Sequence, residues 1–215
     1  MTAPGHAAAP PSGLVLGRVT DTQDPQRRGR VRLSLVPLEV ELWANVAMPS
    51  AGRGYGAALL PKVGEVVVVG FLGAETPVVL GALWSGDDSQ PDRAAPVEDR
   101  YLIRTPSGTL MLMDDADGPS LLVETPGGVS LKLSDSGGGE ITGTVAGNTV
   151  KVTTSTITLT ATSEVKVEAP KVTVSAPLVT LDAAMTKASG VVKCDTLIAT
   201  SVVGTSYTPG AGNIW

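Results

Sequence analysis

The chain has 215 residues with a single histidine, a single cysteine and a formal net charge of −5. Those counts exclude an intrachain disulfide and a thiolate metal cage, and they disfavour broad contact with nucleic acid or anionic lipid. Hydrophobic residues are 42% but aromatic ones only 3%, so any core must be aliphatic; Gly 25 and Pro 16 point to many turns between short strands.

Residues 1–12 (MTAPGHAAAPPS) read by composition as a disordered arm. They carry no Lys or Arg and no long apolar stretch, so they do not form a secretory signal, and the chain is expected to be made in a producer cytoplasm. No run approaches about 18 apolar residues, the length of a membrane-spanning helix. Residues 13–85 contain five β-rich runs, LVLGRVT, GRVRLSLVP, VELWANVAMP, EVVVVGFL and PVVLGALW. One long loop, SAGRGYGAALLPKVG, precedes the fourth, and this pattern suits a small Greek-key barrel. Val66, Val67, Val68 and Val69 are apolar on both faces, as in a strand buried on two sides. Residues 86–100 are polar and proline-containing, a linker by composition.

Beyond the linker, YLIRT, TLMLMD, SLLVET, VSLKLS and EITGTV are short strands joined by turn sequences. A repeat with a period of about seven residues follows, opened by Val150 and Val152. Its units are apolar-x-apolar-x-Ala: Ile157, Leu159, Ala161; Val165, Val167, Ala169; Val172, Val174, Ala176; Val179, Leu181, Ala183. A coiled coil needs apolar spacings of three and four in good helix formers. Here the spacing is two, the residues are β-branched, and Pro170 and Pro177 recur, so the units are strands. Strands this short cannot stabilise themselves, and a lone sheet of them would leave its Val/Ile/Leu face wet. A conventional solenoid needs rungs of about 20 residues or more. Three interleaved chains, each supplying one side of a triangle, fit better, and about ten strands at ~4.8 Å make a needle of roughly 50 Å.

The segment from Gly29-Arg30-Val31-Arg32 through Trp43-Ala44, Ala51-Gly52, Tyr55-Gly56, Pro61-x-Val63-Gly64-Glu65 and Pro77-Val78-Val79-x-Gly81 resembles the oligonucleotide/oligosaccharide-binding (OB) barrel of contractile-phage baseplate assembly protein V. It is also similar to the barrel of the valine-glycine repeat spike proteins of type VI secretion. Arg104-Thr105-Pro106-Ser107-Gly108 and the Asp114-Asp115 turn resemble that family's passage from barrel to needle, and the repeat after Asn148 its triple-stranded β-helix. The resemblance implies an all-β homotrimer: an OB-fold domain at 13–85, an intertwined triple-stranded β-helix at 101–190, and a tip or cap at 191–215. It implies a central spike of a phage tail, tailocin or phage-like injector, seated on a hub protein at the end of the tail tube and driven through a target envelope by sheath contraction. The large N-terminal hub region and lysozyme domain of some relatives are missing, which implies a separate hub protein. So is the His-x-His pattern of iron-tipped members; no metal is expected, and a PAAR-type tip protein is a possible partner.

The chemical motifs favour no reaction. Gly52-x-Gly54-x-Gly56 lacks the Lys-Ser/Thr and helix of a phosphate loop and reads as a flexible loop. Asp114, Asp115 and Asp117 lack the further ligands of a calcium loop and read as turn acids. Asp135 and Glu140 flank a glycine-rich turn with nothing to make them converge on a cleft. Cys194 has only the distant His6 as a conceivable base and reads as a small buried apolar residue. Arg27, Arg28, Arg30 and Arg32 form the one basic cluster. With Trp43, Tyr55, Phe71 and Trp84 scattered along the chain, that cluster suits docking on acidic protein surfaces better than nucleic-acid binding. No catalytic, cofactor or metal residues are therefore expected. A trimeric tail fibre or adhesin binding surface polysaccharide is the alternative, disfavoured because only some 25 residues follow the repeat, too few for a broad aromatic head.

Overall fold

Alternation of apolar and polar residues sets the first strands of the computed structural model, which describes residues 13–73 and 76–206. Strands β1 (Val15–Asp21), β2 (Arg30–Val36) and β3 (Glu41–Val46) are followed by the two-residue strands β4 (Ala51–Gly52) and β5 (Tyr55–Gly56). Strands β6 (Val66–Leu72) and β7 (Thr76–Leu83) complete the region. The five long strands close into a barrel in the order β1-β2-β3-β7-β6, with β6 returning to β1. All pairs are antiparallel except β3 with β7, which run parallel at Asn45–Val78 and Val46–Val79. This is the OB fold. Its core is Val19, Val31, Leu33, Leu35, Ala44, Val67, Val69 and Val79, the aliphatic set that an aromatic-poor chain must use.

Gly17 faces that core, where a Cβ would sit 3.0 Å from Leu33 Cδ1 and 3.2 Å from Val69 Cγ2. Leu80 is an extra residue on β7, because Val68 pairs with Gly81 while Val69 pairs with Val79, and such bulges bend a sheet toward closure. The valine run is not buried on both sides. Val67 and Val69 point inward, whereas Val66 and Val68 are only half-buried on the outside of the barrel, beside Leu16 and Leu83.

Residues 86–100 are more than a linker. They contain a 3₁₀ turn, Asp92–Ala94, whose Ala94 is buried and which contacts β8 (Arg100–Arg104). Strand β8 opens a seven-stranded antiparallel meander with β9 (Leu110–Asp114), β10 (Ser120–Glu124), β11 (Ser130–Ser134), β12 (Glu140–Val145), β13 (Asn148–Thr153) and β14 (Ile157–Thr160). Arg93 reaches Glu124 at 2.7 Å, Arg100 reaches Asp114 at 2.9 Å, and the Arg100 guanidinium also donates to the Ala95 carbonyl. Composition alone shows none of these pairings.

Local chemistry explains the turns. Thr105-Pro106-Ser107-Gly108 and Thr125-Pro126-Gly127-Gly128 form matching hairpin loops. In each, the threonine amide donates to the residue four positions on, and the final glycine, at φ +98° or +81°, donates back to the threonine carbonyl. Ala146 and Gly147, both at positive φ, make the tight two-residue turn between β12 and β13.

The expected needle of residues 101–190 therefore divides at Thr160. Up to there the strands pair within one chain; among the described residues from 161 to 206 none is in a strand, and all are exposed. The chain separates into two units, through Val165 and from Lys166. The expected arm at 1–12 and the end of the expected tip, 207–215, lie outside the described residues.

Candidate functional site

Register places one apolar face across the whole meander. Tyr101, Met113, Leu121, Leu133, Ile141, Val152 and Ile157 stand opposite one another in one cross-strand row. The neighbouring row is Ile103, Met111, Val123, Leu131, Gly143, Val150 and Leu159. Most of these side chains are exposed, from 38% at Val123 and Leu133 to 74% at Ile157. Antiparallel sheets normally cover their apolar face with another layer; among the described residues nothing covers it.

The opposite face turns from apolar to polar along the sheet. Leu110 and Leu112 are buried on the side of the Asp92–Ala94 turn, while Lys132, Thr142, Lys151 and Thr158 continue the row outward. Lys151 pairs with Glu140 at 2.7 Å. That ammonium, helped by the Thr142 hydroxyl, holds the Glu140 carboxyl below its ordinary range. The unpaired segment continues the exposed apolar pattern: Val165, Val167, Val172, Val174, Val179 and Leu181 are 54–72% exposed.

Few of the singled-out polar residues come together. Asp114 accepts from the Ala116 amide at 3.0 Å and from Arg100, which together lower its pKa; it is a turn acid held by its own hairpin. Asp135 precedes a short 3₁₀ turn while Glu140 is tied to Lys151, so the two act in separate local structures. Among the described residues no group of three or more His, Cys, Asp or Glu side chains could hold a metal ion. Cys194 is exposed rather than buried, because the segment around it has no neighbouring layer among the described residues. His6 falls outside the described residues.

Half of the basic cluster is neutralised from within. Asp24 accepts the Gln26, Arg28 and Arg30 amides and the Arg30 guanidinium, the last at 2.7 Å. The guanidinium is the largest cause of a carboxyl pKa far below the usual range. Arg30 also lies over the Trp43 ring, 5.5 Å from its centroid, and Arg32 pairs with Glu41 at 2.5 Å. Of the four arginines, Arg27 and Arg28 are the two without a carboxylate partner among the described residues. Phe71 packs against the barrel core, and Trp84 is 68% exposed past β7.

The glycine triplet is a hairpin, not a flexible loop. Gly52 pairs with Tyr55, whose ring crosses the space a Gly52 side chain would fill. Gly54 makes the reversal at φ +81°. Two-residue strands leave no periodicity to read, and only the glycine spacing signalled them. Beside the hairpin lies a pocket of about 390 Å³ whose lining includes Arg28, Val46, Met48, Tyr55 and Leu60.

The sequence model of the type VI secretion system/phage-baseplate injector OB domain matches residues 15–84, the span of the closed barrel. No curated protein matches the chain. The match carries a baseplate-related role, in a phage tail or an injector. Among the described residues no helix is long and apolar enough to cross a membrane.

Proposed function

We propose that this chain, whose barrel belongs to the phage-baseplate injector OB-domain family, is the central spike of a contractile injection machine and works as a homotrimer. The observation that carries the reading is the two-row apolar face running through all seven meander strands and echoed in the repeat beyond them. Burying roughly half of each such side chain releases on the order of 10 kcal/mol per copy. That is enough to offset much of the cost of association. Three sheets facing one axis cover one another's apolar faces and leave the Thr/Lys/Glu faces in water.

Residues 161–206, without strand partners among the described residues, then find partners in the other two copies. Seven strands at ~4.8 Å extend the prism by roughly 30 Å, and the repeat lengthens it further. Such a body is stiff because no strand can leave without breaking pairing to its neighbours. Stiffness suits a part driven through an envelope by a contracting sheath. The barrels seat on a hub protein at the tube end, and a PAAR-type protein is the fitting tip partner. Nothing in this role requires chemistry, and the reading is of a mechanical part without a catalytic site.

Multi-angle light scattering tests the assembly: the expected mass is three times the 21.8 kDa of one chain. A soluble, folded monomer at micromolar concentration would overturn the reading, and clearing of peptidoglycan by the pure protein would overturn its non-enzymatic part.

A further inference from the structure

Three arginines on two neighbouring barrel loops have no carboxylate partner among the described residues. Arg27 and Arg28 belong to the β1–β2 loop, and Arg53 is at the tip of the β4–β5 hairpin. The loops meet at one pocket, since Arg28 and Gly29 line it together with Gly52 and Gly54. Its volume is about 390 Å³, and Val46, Met48 and Leu60 give it an apolar wall.

The cationic loop is held in shape before any partner arrives. The Arg27 amide donates to the Asp24 carbonyl at 3.0 Å, and Arg27 is fixed at φ +51°, a conformation that non-glycine residues rarely adopt. The Arg28 amide donates to the Asp24 carboxylate at 2.7 Å, and its guanidinium donates to Gln26 Oε1 at 3.1 Å. A loop fixed in this way loses little further freedom on binding.

We propose that this pocket, lined by Arg28 and flanked by the loops that carry Arg27 and Arg53, receives an acidic protein segment bearing an apolar anchor, the anchor entering the pocket and the carboxylates pairing with the three arginines. This rests on the reading of the barrel as the end that seats on a hub, and it names the chemistry of that contact. Charge complementarity selects the occupant. The chain is acidic as a whole, at −5, so a local group of free cations marks where an acidic partner is attracted instead of repelled. A nucleic-acid strand fits less well, because it stacks its bases on free aromatic faces. Here Arg30 covers a face of Trp43, and Tyr55, 74% exposed, is the single aromatic side chain lining the pocket, where a strand needs a row of such rings.

The test uses the full chain and a short labelled peptide of glutamates flanking two leucines, followed by fluorescence anisotropy at low and physiological salt. Arg27→Glu/Arg28→Glu/Arg53→Glu is expected to weaken binding by about tenfold or more. Replacing the peptide's glutamates by glutamines is expected to do the same, while Lys171→Glu, distant in sequence, leaves affinity unchanged. Absence of binding, equal binding by the triple variant or the glutamine peptide, or tighter binding of an oligothymidylate strand would each overturn the proposal. Light scattering on the same samples separates the two readings. A trimer with charge-insensitive binding removes the acidic-segment site alone, and a monomer removes the spike assembly while the binding result still judges the site.

Discussion

Asp24 grips Arg30 with both carboxylate oxygens, at 2.7 Å and 3.3 Å, and the gripped guanidinium lies over Trp43. One carboxylate thereby ties the β1–β2 loop to the start of β2 and, through the indole, to β3. The Asp24 side chain is only 5% exposed, so its charge is satisfied by the protein, not by water.

This pairing gives the barrel an acid-sensitive element. The Arg30 guanidinium, with the amides of Gln26, Arg28 and Arg30, depresses the Asp24 pKa in the folded state. Its stabilisation is therefore complete above the unfolded value of about 4 and is lost as pH falls toward the folded value. Asp24→Asn should lower the melting temperature at pH 7 and flatten its decline below pH 4, as followed by circular dichroism. An unchanged acid slope would assign the sensitivity to other carboxylates.

Among the barrel-strand glycines, Gly17 has the least room for a side chain. Gly17→Val pushes methyl groups against Leu33 and Val69, and overpacking of this kind costs about 1–3 kcal/mol. Gly81→Ala, with open space around its Cβ, should be close to neutral. Urea unfolding of both variants measures the contrast.

Leu133 and Thr142 lie on neighbouring strands but on opposite faces of the meander. Leu133→Asp would place a carboxylate in the proposed shared interior, at several kcal/mol per charge. It should abolish the trimer in light scattering, whereas Thr142→Asp should not. Val172→Asp and Val179→Asp carry the same expectation for the repeat. Persistence of heat-stable trimers in all three apolar-to-Asp variants would refute the shared interior.

Gly56 sits at φ +137°, and a Cβ there would lie 2.3 Å from the Ser50 carbonyl oxygen. Gly56→Ala should distort the β4–β5 hairpin and weaken acidic-peptide binding several-fold. The hairpin is outside the barrel sheet, so the melting temperature should fall less than in Gly17→Val.

Long strands with alternating side chains were legible in the sequence: the five barrel runs and the five short runs after residue 100 each became a strand within a residue or two, except that β3 stops at Val46, three residues short of the end of its run. Val150, Val152, Ile157 and Leu159 also entered strands, as their spacing of two demanded. Features set by contacts distant in sequence were not legible. Ala94 is buried through a turn hidden in polar text, and Arg93 finds Glu124 across 31 positions. Arg30 and Arg32 looked free as members of a basic run, yet their partners Asp24 and Glu41 are brought close only by the loop and the β2–β3 pairing. The pocket near Tyr55 depends on hairpin strands too short to leave a pattern.

Each meander strand pairs with the one just before it in the chain, through loops only a few residues long. Contacts so local close quickly, because little chain entropy is lost in bringing them together. Among the described residues, 161–206 have no such nearby partner. In the proposed homotrimer, the meander sheets would therefore be ordered first and residues 161–206 would pair afterwards, with the ordered sheets setting which strand meets which.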